Sequence, residues 1–132
     1  MRFLFDRSLA PGLSRALAAL SAPDGHEVHH IAERFGPEVA DADWIGRLVE
    51  EGGWTLVALE ARAAKNRHER DAWRRSGLTV VLLNRAWAGL PLWEQARRLV
   101  RWWPRIVDQA GQLPPGQILK IPVRYRGGRL RR

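Results

Sequence analysis

Short apolar runs alternate with helix-like segments along the whole chain. Runs with the length and residue content of β-strands lie at residues 2–6, 26–31, 54–59, 78–83 and 118–124. Helices are predicted between them, at residues 9–20, 41–51 and 67–76, with a long amphipathic helix from residue 92 onward. Strands that alternate with helices indicate a mostly parallel sheet. The pattern therefore predicts an α/β fold of three layers, α-β-α, with helices on both faces of the sheet.

Prolines and end signals refine this pattern. The run 54–59 is apolar without alternation, as expected of a strand buried on both faces. Pro122 restricts the last predicted strand to an edge of the sheet. Pro104 predicts a bend or a break in the long helix. Asp41 has the position of an N-cap for the second helix, and the segment 34–38 is predicted as a loop.

Four carboxylates follow strands or begin helices at one predicted edge of the sheet. Asp6 ends the first strand, Asp41 and Asp43 begin the second helix, and Glu60 ends the third strand. The carboxyl ends of parallel strands meet at one edge, which predicts that these acids converge. Hard oxygen ligands favour Mg²⁺ or Mn²⁺, and such an ion can activate water against a phosphodiester. Each acid also has a plainer interpretation, as a helix cap, a first-turn acid that favours the helix dipole or a solvated loop acid.

Charge and composition limit the function classes. The chain has 132 residues, the size of one domain, and we assign 1–125 to that domain and 126–132 to a basic tail. Lys and Arg number 22 against 14 Asp and Glu, a net charge of +8, which permits a nucleic-acid partner but also suits an ordinary Arg-rich surface. There is no cysteine, which excludes disulfides and thiolate zinc sites. No apolar run is long enough to span a bilayer and no signal peptide is recognisable, so we predict a cytoplasmic protein without a membrane partner.

The histidines and tryptophans are best explained by structural rather than functional roles. His26, His29 and His30 alternate between the faces of a strand, which favours surface positions over a zinc site. The seven tryptophans fall mostly at core positions of strands and helices, which favours core packing over base stacking.

Several stretches resemble the PIN-like domain family, in the small branch related to VapC-type toxin ribonucleases. The matching stretches are Phe3-Leu4-Phe5-Asp6 followed by Leu9-Ala10-Pro11, then Arg34-Phe35-Gly36-Pro37, Asp41-Ala42-Asp43-Trp44-Ile45, Asn66-Arg67-His68-Glu69, residues 72–83 and residues 91–107. The resemblance covers roughly residues 1–110 and implies a PIN-like three-layer fold. It also implies a metal-dependent endoribonuclease that cleaves single-stranded RNA, commonly as the toxin of a toxin–antitoxin pair. An antitoxin protein and a second copy of the chain are the protein partners that the resemblance implies.

The resemblance assigns roles to particular residues. Asp6 matches the first-strand aspartate and Asp41 the acid that opens the second helix, both as metal ligands, with Asp43 as a supporting catalytic acid. Glu60 stands where the family usually has Asp, and the longer side chain would reach the metal directly or through water. Arg7 replaces a residue that is usually polar, and its cation would either compete with the metal for the carboxylate of Asp6 or hold the scissile phosphate.

Position along the chain predicts further phosphate contacts. Arg62, Lys65 and Arg67 follow Glu60 directly, and with Arg7 they form the predicted contacts to RNA phosphate. Because Arg7 and Glu60 depart from the family pattern, a catalytically weakened module that binds nucleic acid or protein is the alternative function.

Overall fold

Five strands and six α-helices alternate in the part of the chain that the structure describes. The computed structural model describes residues 1–36, 38–65, 67–128 and 130, without the side chains of residues 41, 42, 63–65 and 69. The strands are β1 (Arg2–Phe5), β2 (Glu27–His30), β3 (Trp54–Leu59), β4 (Thr79–Leu83) and β5 (Ile118–Ile121). The α-helices are α1 (Pro11–Ser21), α2 (Ile31–Phe35), α3 (Asp41–Glu51), α4 (Glu60–Lys65), α5 (Arg67–Ser76) and α6 (Leu92–Gln112), with short 3₁₀ helices at η1 (Ala22–Asp24) and η2 (Arg85–Gly89).

The five strands form one sheet in the order β2-β1-β3-β4-β5, and every pair is parallel. In register, Phe5 lies opposite Val57, and Leu59 lies opposite Leu83. From β1 the chain passes first to β2 on one side and then to β3 on the other, so the strand order reverses between β1 and β3. Crevices at such reversals, outside the carboxyl ends of the strands, are where open α/β sheets bind ligands.

Both faces of the sheet are covered by helices, which confirms the predicted three-layer α/β fold. Alternate residues of β1 point to opposite faces, so Phe3 and Phe5 pack in one core and Leu4 in the other. The first core is completed mainly by α1 and α6, and the second by α3 and α5. Six of the seven tryptophans are buried, as predicted, and Trp93 is the exception at 84% exposed. No helix in the described ranges is both long enough and apolar enough to cross a membrane.

Some local predictions were wrong. Ala40, not Asp41, occupies the N-cap of α3, and an alanine side chain cannot accept a hydrogen bond from the helix. Of the two effects predicted for Pro104, the break is absent: helix α6 continues through the proline, since Trp103 and Ile106 are buried on either side of it and hold the helix against the core. The predicted loop at 34–38 begins inside the short helix α2.

Candidate functional site

Asp6 lies directly beyond β1, at the reversal of strand order. Its backbone N–H donates to the carbonyl oxygen of Val57 at 3.0 Å, which extends the pairing of β1 with β3 by one residue. Its side chain is only 1% exposed. Oδ1 accepts the backbone N–H of Ser8 at 2.8 Å and also the Ser8 hydroxyl, whereas the buried Oδ2 has no hydrogen-bond partner among the described residues. Ser8 therefore fixes one carboxylate oxygen and not the other.

Ser8 joins this carboxylate to the end of β3. Its hydroxyl donates to Asp6 and accepts the backbone N–H of Leu59 at 3.1 Å. We did not predict a role for Ser8 from the sequence. The signal was present, because an aspartate commonly accepts the backbone N–H two residues later in a turn.

Burial dominates the electrostatics of Asp6. Loss of hydration raises the pKa of its carboxyl above its ordinary value of 3.8. The hydrogen bonds from Ser8 and the positive charge of Arg62 act in the opposite direction and only partly offset the effect of burial on the pKa. The Nη1 atom of Arg62 lies 3.9 Å from the unpartnered Oδ2. A cation beside Oδ2, such as the guanidinium of Arg62, therefore stabilises the charged form of this buried carboxyl.

Glu60 begins α4 immediately after β3, at the carboxyl edge where the sequence predicted it. Its Oε1 lies 3.9 Å from Nε of Arg85 and 3.8 Å from Nζ of Lys120. Arg85 follows β4 and Lys120 lies in β5. Both partners of Glu60 therefore belong to strands on the side of β3 away from β1 and Asp6. The structure thus gives Glu60 two cationic partners that the sequence analysis did not foresee.

The remaining predicted acids lie at the start of α3. Asp43 is exposed in the first turn, and its backbone N–H donates to the carbonyl oxygen of Ala40 at 3.0 Å. Asp41 is the first residue of α3, and its side chain lies outside the described residues. Among the side chains that the structure describes, no three acids or histidines come close enough to bind one metal ion together.

The predicted phosphate contacts separate in space. Arg62 lies beside Asp6. Arg7 donates from Nη2 to the carbonyl oxygen of Val39 at 2.8 Å and so contacts the segment that precedes α3. Arg67 is exposed at the start of α5, and the side chain of Lys65 lies outside the described residues.

His30 is buried at 3% exposure, so its predicted surface position was wrong. Its Nε2 lies 2.7 Å from the carbonyl oxygen of Leu9, and its Nδ1 accepts the backbone N–H of Ala32 at 3.1 Å. Because Nδ1 accepts, Nε2 is the ring nitrogen that donates to the carbonyl oxygen of Leu9. Both ring nitrogens are engaged by backbone, which gives His30 a structural role between the turn before α1 and the start of α2.

The parallel sheet and the buried carboxylate at its reversal define an α/β protein with a candidate ligand site at the carboxyl edge. The family model described as PIN like domain matches residues 1–85, well over half of the chain. The chain belongs to this family, whose members are commonly nucleases. Asp6, Asp41 and Glu60 all lie within the matched region. No match was found among the curated proteins or among the solved structures.

Proposed function

We propose that the chain is a Mg²⁺- or Mn²⁺-dependent endoribonuclease that cleaves single-stranded RNA at the carboxyl edge beside Asp6. One observation carries the proposal. The Oδ2 atom of Asp6 is buried, lacks a hydrogen-bond partner among the described residues and lies where open α/β sheets bind ligands. A buried carboxylate oxygen without a hydrogen bond is costly, and a bound cation is the ligand that removes this cost.

A divalent ion fits the donors near Asp6. Mg²⁺ commonly takes only one or two protein carboxylates and completes its shell with water and substrate phosphate. Asp6 would supply one carboxylate and Asp41 the second, with Glu60 reaching the ion through water. The ion supplies an activated water and neutralises charge on the phosphodiester.

The chain's own residues prepare the site. Ser8 holds one oxygen of Asp6 and the end of β3 in a fixed relation, so the carboxylate needs no reorganisation when a cation binds. Arg62 shares Oδ2 with any incoming ion, and its guanidinium is then close enough to bind a phosphate of the RNA. Arg7 and Arg67 are further phosphate contacts in this proposal, and Asp43 supports the site from the first turn of α3. The role of toxin, the antitoxin partner and self-association stay predictions from the family resemblance.

Cleavage of a labelled single-stranded RNA tests the proposal. The purified protein is incubated with Mn²⁺ or Mg²⁺, with and without EDTA, beside the variants Asp6→Asn and Asp24→Asn. Asp24 is an exposed acid of η1, so its variant is a charge-matched control. We expect cleavage that EDTA abolishes, that Asp6→Asn abolishes and that Asp24→Asn retains. Binding of RNA without cleavage in either metal would sink the nuclease proposal.

A module that binds nucleic acid without cleaving it is the second candidate function. The pairing of Glu60 with Arg85 and Lys120 favours it, because these cations compete with a metal for the carboxylate. The variant Glu60→Gln tests whether Glu60 contributes to a metal site, when the Mn²⁺-induced rise in melting temperature is measured. If Glu60 helps to hold the metal, the rise shrinks in the variant. If Glu60 only anchors the two cations, the rise is unchanged.

A further inference from the structure

Helix α6 and the segment after β5 carry a dense arginine surface outside the region that the family model matches. Six arginines of the described residues lie here, four in α6 and two in the described part of the segment after β5: Arg97, Arg98, Arg101, Arg105, Arg124 and Arg126. Two aromatic residues accompany them, Trp93 and Tyr125. We call these eight residues the arginine–aromatic face.

The face is built by contacts between α6 and the segment that follows β5. Nη1 of Arg98 donates to the carbonyl oxygen of Val123 at 3.2 Å. Arg105 donates to the carbonyl oxygens of Arg126 and Gly128. A groove of about 210 Å³ lies between the two parts, and four of its lining residues are arginines. The two parts therefore form one surface with a shared groove.

Tyr125 lies among the arginines with its ring half-buried. Its ring centroid is 4.8 Å from that of the buried Trp102, and Cζ of Arg101 lies 4.4 Å from the Tyr125 ring centroid. Cζ of Arg105 lies 5.8 Å from the same ring centroid. Trp93, one turn before Arg97 in α6, is 84% exposed. Aromatic rings and guanidinium planes are the groups on which unpaired bases stack.

The positive charge of the face is mostly unmatched. In the described part of the chain, its ion pairs are those of Glu94 with Arg97 and Arg98. Arg101, Arg124 and Arg126 are exposed and form no ion pair with a described acid. Arg97, Arg101 and Arg105 recur every four residues, about 6 Å apart along the helix axis. Guanidinium groups repeated in this way suit a polymer with repeated negative charges better than a single anion.

We propose that the arginine–aromatic face binds single-stranded nucleic acid, with the arginines on phosphates and with Tyr125 and Trp93 under unpaired bases. This binding is separate from cleavage at Asp6 and needs no metal. The face would hold a strand on the same molecule that presents the acidic site, through residues that the PIN-like match does not include.

Fluorescence anisotropy of a labelled single-stranded oligouridylate in EDTA tests the arginine contacts. The double variant Arg101→Gln/Arg124→Gln is compared with Arg74→Gln/Arg75→Gln, which removes the same charge from the exposed end of α5. We expect the first variant to weaken binding by on the order of tenfold or more. Its slope of log affinity against log salt should fall by about 1.4, from about 0.7 for each lost phosphate contact. The α5 control should keep both the affinity and the slope within error.

Substitution of the aromatic residues tests the stacking contacts separately. Tyr125→Leu and Trp93→Leu should each weaken binding by on the order of tenfold and leave the salt slope unchanged. Tyr125→Phe keeps the ring and should bind as the wild type does. Thermal unfolding of each variant distinguishes a lost contact from a lost fold. A duplex of the same length should bind less tightly, because its bases cannot stack on the protein.

Several outcomes would overturn the assignment. Equal losses in the Arg101/Arg124 and Arg74/Arg75 variants would mean that net charge alone attracts the strand. Tighter binding to vesicles that contain phosphatidylserine, lost in the same arginine variants, would assign the face to a membrane surface instead. Asp6→Asn should leave this binding unchanged, so a failure of the nuclease proposal and a failure of this one give different results.

Discussion

Replacement of Asp6 by Asn should stabilise the metal-free protein. The same replacement should abolish the proposed cleavage of RNA. The native carboxylate is 1% exposed, and no described group forms a hydrogen bond with its Oδ2. Asn has the same shape without the charge, and its carbonyl oxygen can still accept both hydrogen bonds from Ser8. The substitution therefore removes a buried charge with little change in packing.

The magnitude follows from three opposing effects. Relief from burying an ionised group is on the order of 5 kcal/mol after relaxation of the protein. The two hydrogen bonds from Ser8 become bonds to a neutral acceptor, which loses about 2 kcal/mol in total. The new amide N–H₂ faces Arg62 rather than an acceptor, which costs about 1–2 kcal/mol. We expect a net stabilisation of about 1–2 kcal/mol, and each kcal/mol raises the melting temperature of a domain of this size by about 3–5 °C.

Urea denaturation in EDTA, repeated from about pH 3 to pH 8, measures the effect. The pKa of Asp6 is raised in the folded state above its value of 3.8, so the native state keeps a proton that the unfolded state has lost. The stability of the wild type therefore falls as the pH rises from 3.8 to the raised folded pKa, and this contribution is constant above that pKa. The Asn variant lacks this term. Its advantage in free energy of unfolding should be smallest below pH 3.8 and greatest near neutral pH.

Added Mn²⁺ should reverse the order of the two proteins. A metal at one hundred times its dissociation constant stabilises the wild type by about 2.7 kcal/mol, and the variant gains less because it lacks the ligand. Two results would refute the account of Asp6 as a destabilising buried charge. One is an Asn variant that is less stable than the wild type in EDTA at neutral pH, and the other is a difference in free energy of unfolding that does not change with pH.

Three further predictions concern the core, the site and a surface ion pair. Leu56→Ala, at a fully buried position of β3, should lower the free energy of unfolding by about 2–5 kcal/mol, whereas Leu20→Ala, at 60% exposure, should change it by less than about 0.5 kcal/mol in the same denaturation assay. Ser8→Ala leaves the backbone N–H of Leu59 without its acceptor and should lower the stability by about 1–3 kcal/mol, together with the rate of RNA cleavage. The hydrogen bonds from two arginines lower the pKa of Glu94 to about 2, so its stabilising effect should be complete above its unfolded value of 4.5 and vanish as the pH falls toward 2. Melting curves of Glu94→Gln and the wild type should therefore converge at low pH, and a constant gap between them would contradict this assignment.

Local sequence patterns were enough to predict the helices and strands that end at a glycine or at a change from apolar to polar residues. The predicted boundaries of α3, β3 and α5 agree with the structure, because each is bounded by glycine or by a change between apolar and polar residues. Gly52 and Gly77 follow α3 and α5 with φ of +74° and +75°, a conformation that glycine adopts without strain. Helix α4 was missed because we treated Glu60 only as the end of a strand, although residues 60–65 are mostly strong helix formers.

The partners of site residues could not be predicted in the same way. That Asp6 and Glu60 lie at one edge of the sheet follows from strand-and-helix alternation alone. The pairing of Glu60 with Lys120 depends on β5 adding next to β4, and sixty residues separate the two side chains. The burial of His30 likewise depends on how α1 and α2 cover β2, whereas the alternation of His29 and His30 shows only that they face opposite sides.

The carboxyl edge of the sheet beside Asp6 and the arginine–aromatic face belong to one folding unit. The matched region 1–85 includes Phe3 and Phe5, but the core that buries them also contains Trp102, Trp103 and Ile106 of α6. The ring centroid of Phe3 lies 4.8 Å from that of Trp103, whose Nε1 donates to the hydroxyl of Ser21 at 2.8 Å. Without α6 the part of this sheet face that α1 does not cover would be exposed to water, a loss of apolar burial that a small domain cannot tolerate. Helix α6 carries most of the arginines of the arginine–aromatic face. The same helix holds β1, and Asp6 directly after β1, in position.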